Sequence, residues 1–269
     1  MDLYNEIVQA LKIKEGDRIW ISSDVIGITM QWRKHGIKFD GNNLINSFQD
    51  AVGAKGTIMI PTFCYDFSNK GYYDYRNSKC CTGAIGNISL KREDFNRTLH
   101  PMHSFTVWGR DREKLLRMNN KHAFGDDSPL AYCLSANVKQ VILNTDYASA
   151  LTFVHYAETK CDVPYRFHKV FKGTYVDCDG NASAREYDYA ARKLEWDPVE
   201  KINRIGDVLE KYGVAETVIH DGIPCHIVDL AEAFPIICKD INENKCKCLY
   251  DFSIDREQVF KGWKPSFTI

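Results

Sequence analysis

Three short apolar runs constrain this chain more than any other feature: DRIWISS at 17–23, GTIMIP at 56–61 and VKQVILN at 138–144. The first reads as a buried strand, the second as a strand closed by proline, and the third as a strand feeding a helix. Helical patterns lie between them. Residues 2–12 read as an amphipathic helix, 42–53 as a helix ending at Gly53, and 112–118 as a third. SFTVWG at 104–109 adds a strand. After Pro164 the texture changes: residues 166–192 alternate like antiparallel strands around an Asp179-Gly180 turn. Helix returns at 198–212, and 216–230 reads as another strand pair. This alternation predicts an α/β fold, a mixed central sheet flanked by helices in α/β/α layers, with antiparallel strand pairs in the C-terminal part. No repeat, low-complexity run or linker divides the chain, so 1–269 reads as a single domain. Residues 62–96 form a long irregular stretch, and such stretches inside compact domains are usually functional.

Composition narrows the function. Of 269 residues, 44% are hydrophobic and 26% charged, ordinary values for a globular protein. The net charge of −1 gives no electrostatic case for nucleic acid. No run of about 18 apolar residues exists to cross a membrane. The N-terminal MDLYNEIVQALKI is not a signal peptide, because acids interrupt it. The ten cysteines are therefore read as reduced, in a cytoplasmic protein. KCKC at 245–248 and the Cys80-Cys81 pair lack the spacing of structural zinc sites, and no metal is expected.

Small polar residues collect where strands end. DRIWISS closes on Ser22 and Ser23, the 56–61 strand leads to Thr62, and the 138–144 strand leads to Asn144, Thr145, Asp146 and Ser149. Ligands of open α/β sheets bind beyond the carboxyl ends of strands. The same residue types also cap helices, and both readings stand. Glycine-rich dinucleotide and phosphate-loop fingerprints are missing, as is a nucleophile elbow. His155 and Glu158 fall three apart on an otherwise apolar helical stretch, so they share a face. A positive helix end nearby disfavours the protonated imidazole, which suits a base near pH 7. A core histidine is the bland alternative.

RTLHPMHS (97–104), FGDDSPL (124–130) and LTFVHYAE (151–158), preceded by ISSD (21–24) and PTFCYDF (61–67), resemble in order and spacing the aminoglycoside 3-N-acetyltransferases. The likeness covers roughly residues 15–170. It implies a direct acyl transfer from acyl-CoA (acetyl-CoA or another short-chain acyl-CoA) to a sugar amine, with His155 as general base and no metal. It places Ser22, Ser23 and Ser104 along the cosubstrate, with Arg97 and Ser128 as further cofactor-side candidates. The acceptor is placed against Thr62, Tyr65, Asp66 and Asp146. The supporting carboxylate is open. Family members often carry an aspartate where this chain has Ser149, leaving Glu158, Asp188 and Glu186 as candidates.

The near-neutral chain and the Tyr-, Lys- and Arg-containing 64–97 loop favour a nucleotide-linked amino sugar as acceptor, with an aminoglycoside as the alternative. A Cys64-dependent enzyme and a non-catalytic sugar-nucleotide binder are the competing classes. The oligomeric state is left open.

Overall fold

A computed structural model describes residues 2–267. Its strands, in chain order, are β1 Arg18–Ser23, β2 Thr57–Pro61, β3 Tyr72–Asp74, β4 Asn96–Arg97, β5 Phe105–Gly109, β6 Lys139–Leu143, β7 Arg166–Val176, β8 Ala182–Arg192, β9 Val199–Glu200, β10 Ala215–His220, β11 Ile223–Asp229 and β12 Tyr250–Asp251. Seven of them form one sheet in the order β10-β11-β6-β1-β2-β5-β4. β1 lies parallel to both β2 and β6, while the flanking pairs run antiparallel. The mixed sheet expected from the alternation is present, with helices on both faces.

Period-2 alternation sorts the central strands between two cores. Trp20, Met59, Val107 and Ile142 face one, where the helices Pro129–Ser135, Val154–Cys161, Asn203–Lys211 and Leu230–Asn244 pack. Ile19, Ile21, Ile58, Ile60, Val141 and Leu143 face the other, against the helices Leu3–Ala10, Val25–Arg33 and Gly41–Val52. Burial on both sides is why these runs contain so few polar residues. The Gly41–Val52 helix ends at Gly53 in a positive-φ conformation, as its sequence indicates.

β7 and β8 pair antiparallel over eleven residues each, and β3 extends them to a second, three-stranded sheet. An aromatic cluster joins this sheet to the 62–96 segment, Phe67 and Tyr73 of the segment packing with Tyr175 and Tyr187 of the hairpin. That segment is more regular than its sequence suggests: it holds the short helices Asp66–Lys70 and Ala84–Ser89 besides β3. The expected 198–212 helix begins only at Asn203, because Val199–Glu200 instead pairs with β12. Cys64, the alternative nucleophile, is 3% exposed within the aromatic cluster.

The Asn203–Lys211 helix lies flat on a ring. A Cβ on Gly206 would stand 2.0 Å from Cδ2 of Tyr147. That ring cannot yield easily: its hydroxyl donates to Glu210 at 2.7 Å and its face meets His226 at 4.6 Å. Alanine would gain about 1 kcal/mol of helix propensity over glycine, but overpacking costs about 1–3 kcal/mol. Gly206→Ala is expected to lower the midpoint of chemical unfolding. A variant as stable as the parent would show that this contact is loose.

Candidate active site

β1 and β6 are parallel neighbours whose following segments leave on opposite faces of the sheet. After β1 the chain enters Val25–Arg33 on one face; after β6 it enters Tyr147–Ala150 and Val154–Cys161 on the other. A crevice opens beyond the strand ends at such a switch point. Here it is a cavity of about 410 Å³. Ser22, Ser23, Tyr65, Cys81, Ser149 and Thr152 are among its lining residues, with Trp20 and Phe63 as apolar walls. Gly83 closes one side in a positive-φ conformation, where a Cβ would meet the Ser23 carbonyl oxygen at 3.3 Å.

Thr152, which lines this cavity, lies one turn from His155, whose backbone N–H donates to the Thr152 carbonyl at 3.0 Å. The helical stretch expected over 150–160 is interrupted at 151–153, so His155 is the second residue of the Val154–Cys161 helix. Its Nδ1 lies 2.7 Å from Glu158 Oε2, the two residues sharing a face as their spacing requires. Glu158 is fully buried and holds three groups, His155 among them. Arg166 Nη2 lies 2.8 Å from Oε2, and the Tyr165 hydroxyl donates to Oε1 at 2.5 Å. Arg166 also donates to the Ala190 carbonyl and the Tyr250 hydroxyl, which fixes its guanidinium against the base of the β7–β8 hairpin.

The electrostatics follow. Burial by itself raises the Glu158 carboxyl, but Arg166 and His155 outweigh it and hold the group below the ordinary carboxylate range. Burial lowers the His155 imidazole, Arg166 lowers it further, and Glu158 opposes both. Both Glu158 Oε2, at 2.7 Å, and Arg166 Nη2, at 2.9 Å, approach Nδ1; the ionised carboxylate is the acceptor at that position, which assigns the hydrogen to Nδ1 and leaves a lone pair on Nε2. Among the described residues Nε2 has no hydrogen-bond partner, and the side chain is 15% exposed, so solvent reaches it. The arrangement is a neutral imidazole, oriented by a carboxylate, with its basic nitrogen facing out.

The structure separates the other sequence candidates. Ser22, Ser23 and Tyr65 line the cavity. Arg97 and Ser104 do not serve it. They are 3% and 0% exposed, and Arg97 donates to Ser104 Oγ, the Ser78 carbonyl and the Thr62 carbonyl. Thr62 is tied to Ser104 in the same internal network, so it is not available to an acceptor. Ser128 is buried as the N-cap of Pro129–Ser135, accepting from Ala131 N–H. Asp146 caps Tyr147–Ala150 and accepts from Asn203. Asp66 pairs with Lys70 on the surface. Asp188 is not the acid behind His155: it bonds His168 Nδ1 at 2.7 Å instead. Glu186 pairs with Lys172 in solvent. Sequence reasoning offers Lys160 or Arg166 as a partner for Glu158, and the structure selects Arg166; it missed Tyr165, whose signal is only that a buried carboxylate needs partners.

His122, His168 and Asp188 place ligand-type atoms within 4.8 Å of one another. Phe124 N–H donates to His122 Nδ1 at 3.0 Å, which puts the hydrogen of the neutral ring on Nε2. His168 Nδ1 pairs with Asp188 Oδ2 at 2.7 Å, while His122 Nε2 and Asp188 Oδ1 are buried without a hydrogen-bond partner.

Several histidines are held neutral. Burial drives His100 down to about 3, and burial together with His100 drives His103 well below its ordinary value. An unfolded chain protonates these rings below about pH 6.5, whereas the folded chain resists. Their contribution to stability is complete above that pH and is lost as pH falls. Each ring contributes a slope of up to about 1.4 kcal/mol per pH unit, and His155, partly open to solvent, contributes least. Urea unfolding at pH 7.5, 6.5 and 5.5 is expected to show this decline; a flat profile would mean that the rings are solvated.

Comparison with known proteins places the chain among relatives. The model of the family described as aminoglycoside 3-N-acetyltransferase matches residues 30–240. The SPbeta prophage-derived aminoglycoside N(3')-acetyltransferase-like protein YokD of Bacillus subtilis (strain 168) is 23% identical over 251 residues, covering 85% of this chain and 87% of that protein. Aminoglycoside acetyltransferase AAC(3)-Xa superposes with a TM-score of 0.76 at 17% identity, covering 90% of this chain and 92% of its own. AAC-IIIb, solved as a binary complex with CoASH, gives 0.73 at 16% identity, covering 90% and 95%. At these identities the structural likeness is one of fold.

Proposed function

We propose an acetyl-transfer mechanism for this chain, which belongs to the aminoglycoside 3-N-acetyltransferase family and is an acyltransferase. The cosubstrate is acyl-CoA, and the acceptor is an amine on an aminoglycoside-type amino sugar. One observation carries the mechanism: the His155 imidazole, oriented by buried Glu158, presents an unpartnered Nε2 beside the switch-point cavity.

The pantetheine arm enters along Ser22, Ser23 and Ser149 and brings the thioester to the Thr152 end. The unprotonated amine attacks the thioester carbonyl carbon and forms the C–N bond. His155 Nε2 takes the amine proton. The C–S bond breaks, the CoA thiolate leaves and is protonated, and the products are the amide and free CoA. Glu158 stabilises the imidazolium that forms, while Arg166 keeps the carboxylate ionised and prevents the resting imidazole from charging too early. No covalent acyl-enzyme is required.

The expected nucleotide-linked acceptor gives way to its alternative. The family and the relatives above are described by aminoglycosides. Three of the loop cations invoked for a pyrophosphate are engaged elsewhere. Arg97 is buried in its network, Arg92 binds Asp94 and the Gly41–Val52 helix, and Lys70 pairs with Asp66.

His155→Asn is expected to reduce kcat about 10²–10⁴-fold while acetyl-CoA affinity and thermal stability hold. Turnover within a few-fold of the parent would return His155 to the core-residue reading. The acceptor is tested separately by following thiol release with a kanamycin-type acceptor and with dTDP- and UDP-linked amino sugars. The aminoglycoside is expected to give the larger kcat/KM. A tenfold advantage for any nucleotide sugar would overturn the acceptor while leaving the chemistry in place.

A further inference from the structure

His103 is a second imidazole, packed behind the cavity walls Phe63 and Tyr65, and packing alone does not call for it. It is 2% exposed. Its ring lies 4.6 Å from Phe63, 5.5 Å from Tyr189 in a stacked arrangement, and 4.9 Å from Phe124 edge-on. Phe124 is also edge-on to His155, at 5.7 Å, so the two imidazoles flank one phenyl ring. Phe63 and Tyr65, both beside His103, are walls of the cosubstrate cavity. A leucine or phenylalanine would fill this aromatic box without burying a polar nitrogen, which costs free energy when unpaired.

The two ring nitrogens are not equivalent. Nδ1 is dry and has no partner. Among the described residues Nε2 has no protein partner either, and unlike Nδ1 it is not sealed from solvent, so the ring's 2% exposure makes it the nitrogen with an opening. A hydrogen on Nδ1 would strand a buried donor, whereas a hydrogen on Nε2 strands only a lone pair. Orphaned buried donors are the rarer of the two. That assigns the hydrogen to Nε2. The segment is held in place because the His103 backbone N–H donates to His100 Nδ1 at 3.1 Å. Burial, reinforced by His100, His155 and Arg166, keeps the ring uncharged. With its lone pair on dry Nδ1, the ring offers the amine no accessible base and presents only a donor.

We propose that His103 is a second catalytic residue, whose Nε2–H donates to the carbonyl oxygen of the acyl thioester while His155 takes the amine proton. The assignment rests on the acyl-transfer reading above. Negative charge develops on that oxygen as the amine attacks. A donor already aimed at it in a dry site stabilises the transition state more than the ground state. Removing one such donor costs about 10²–10³-fold in kcat.

The test is isotope-edited infrared spectroscopy of the protein with [1-¹³C]acetyl-CoA and no acceptor, with binding measured in parallel by calorimetry. The bound thioester carbonyl is expected at lower frequency than in free acetyl-CoA. In His103→Leu that shift is expected to vanish and kcat to fall about 10²–10³-fold, with KM for acetyl-CoA within about threefold, since the donor acts mainly in the transition state. His103→Gln retains an N–H donor and is expected to recover about tenfold or more of the loss. An unshifted carbonyl in the parent protein, despite calorimetric binding, overturns the assignment, as does a folded His103→Leu variant within about threefold of parent kcat, far short of the loss expected on removing a donor. If His103→Leu does not fold, the parent spectrum and His103→Gln decide. Failure of acetyl-CoA to bind at all overturns the acyl-transfer reading itself, and this assignment with it.

Discussion

A fully buried carboxylate has to be paired, and in this chain that requirement organises the catalytic end of the molecule. Glu158 sits on the core stripe of the Val154–Cys161 helix, where water cannot solvate it. Desolvating a lone carboxylate costs several kcal/mol. Arg166, His155 and the Tyr165 hydroxyl offset that cost together. The three come from one short stretch of chain, yet they bind different parts of the fold. His155 belongs to the same helix, Tyr165 packs into the core beside Cys246, and Arg166 opens the β7–β8 hairpin and reaches Tyr250. One charge therefore aligns the helix, the hairpin base and the C-terminal region, and it fixes the tautomer of the imidazole.

The catalytic nitrogen meets its cavity because of sheet order. β1 and β6 are far apart in sequence but adjacent in the sheet, and their outgoing segments diverge. The crevice between them collects Ser22 and Ser23 from one strand and Thr145, Ser149 and Thr152 from the segment after the other. Of the hydroxyls that the strand ends deliver, those nearest β5 serve a different purpose. Thr62 and Ser104 close an internal network around Arg97, which anchors the loop forming the cavity's outer wall.

Much of the fold was legible because its signals are local. The apolar runs of β1, β2 and β6, the Gly53 helix stop and the Asp179-Gly180 turn each follow from a few neighbouring residues. The Leu230–Asn244 helix was not assigned. Pro235 sits inside it, and proline inside a helical pattern ordinarily marks an end. Here Asp229 caps the first turn, and the buried stripe Leu230, Ala233, Phe234, Ile237 and Ile241 holds the helix together past the missing N–H. The late start of the Asn203–Lys211 helix has a comparable cause: Val199–Glu200 finds a distant strand partner in Tyr250–Asp251, a contact that no local window contains.

The same division runs through the site. By itself the sequence determined the α/β class, the placement of hydroxyls at strand ends, and the His155–Glu158 pair, because a spacing of three on a helix fixes one face. The ordered motifs also carried the family resemblance. Only the tertiary structure decided which carboxylate supports the histidine, since Asp188 is as plausible as Glu158 until the hairpin folds and delivers it to His168. Only the tertiary structure separated cavity-lining serines from buried ones and brought His103 against the ring that His155 also touches. Residues within a turn of one another meet because backbone geometry makes them meet. Residues tens of positions apart meet only once both cores have closed, and solvation there depends on every element around them.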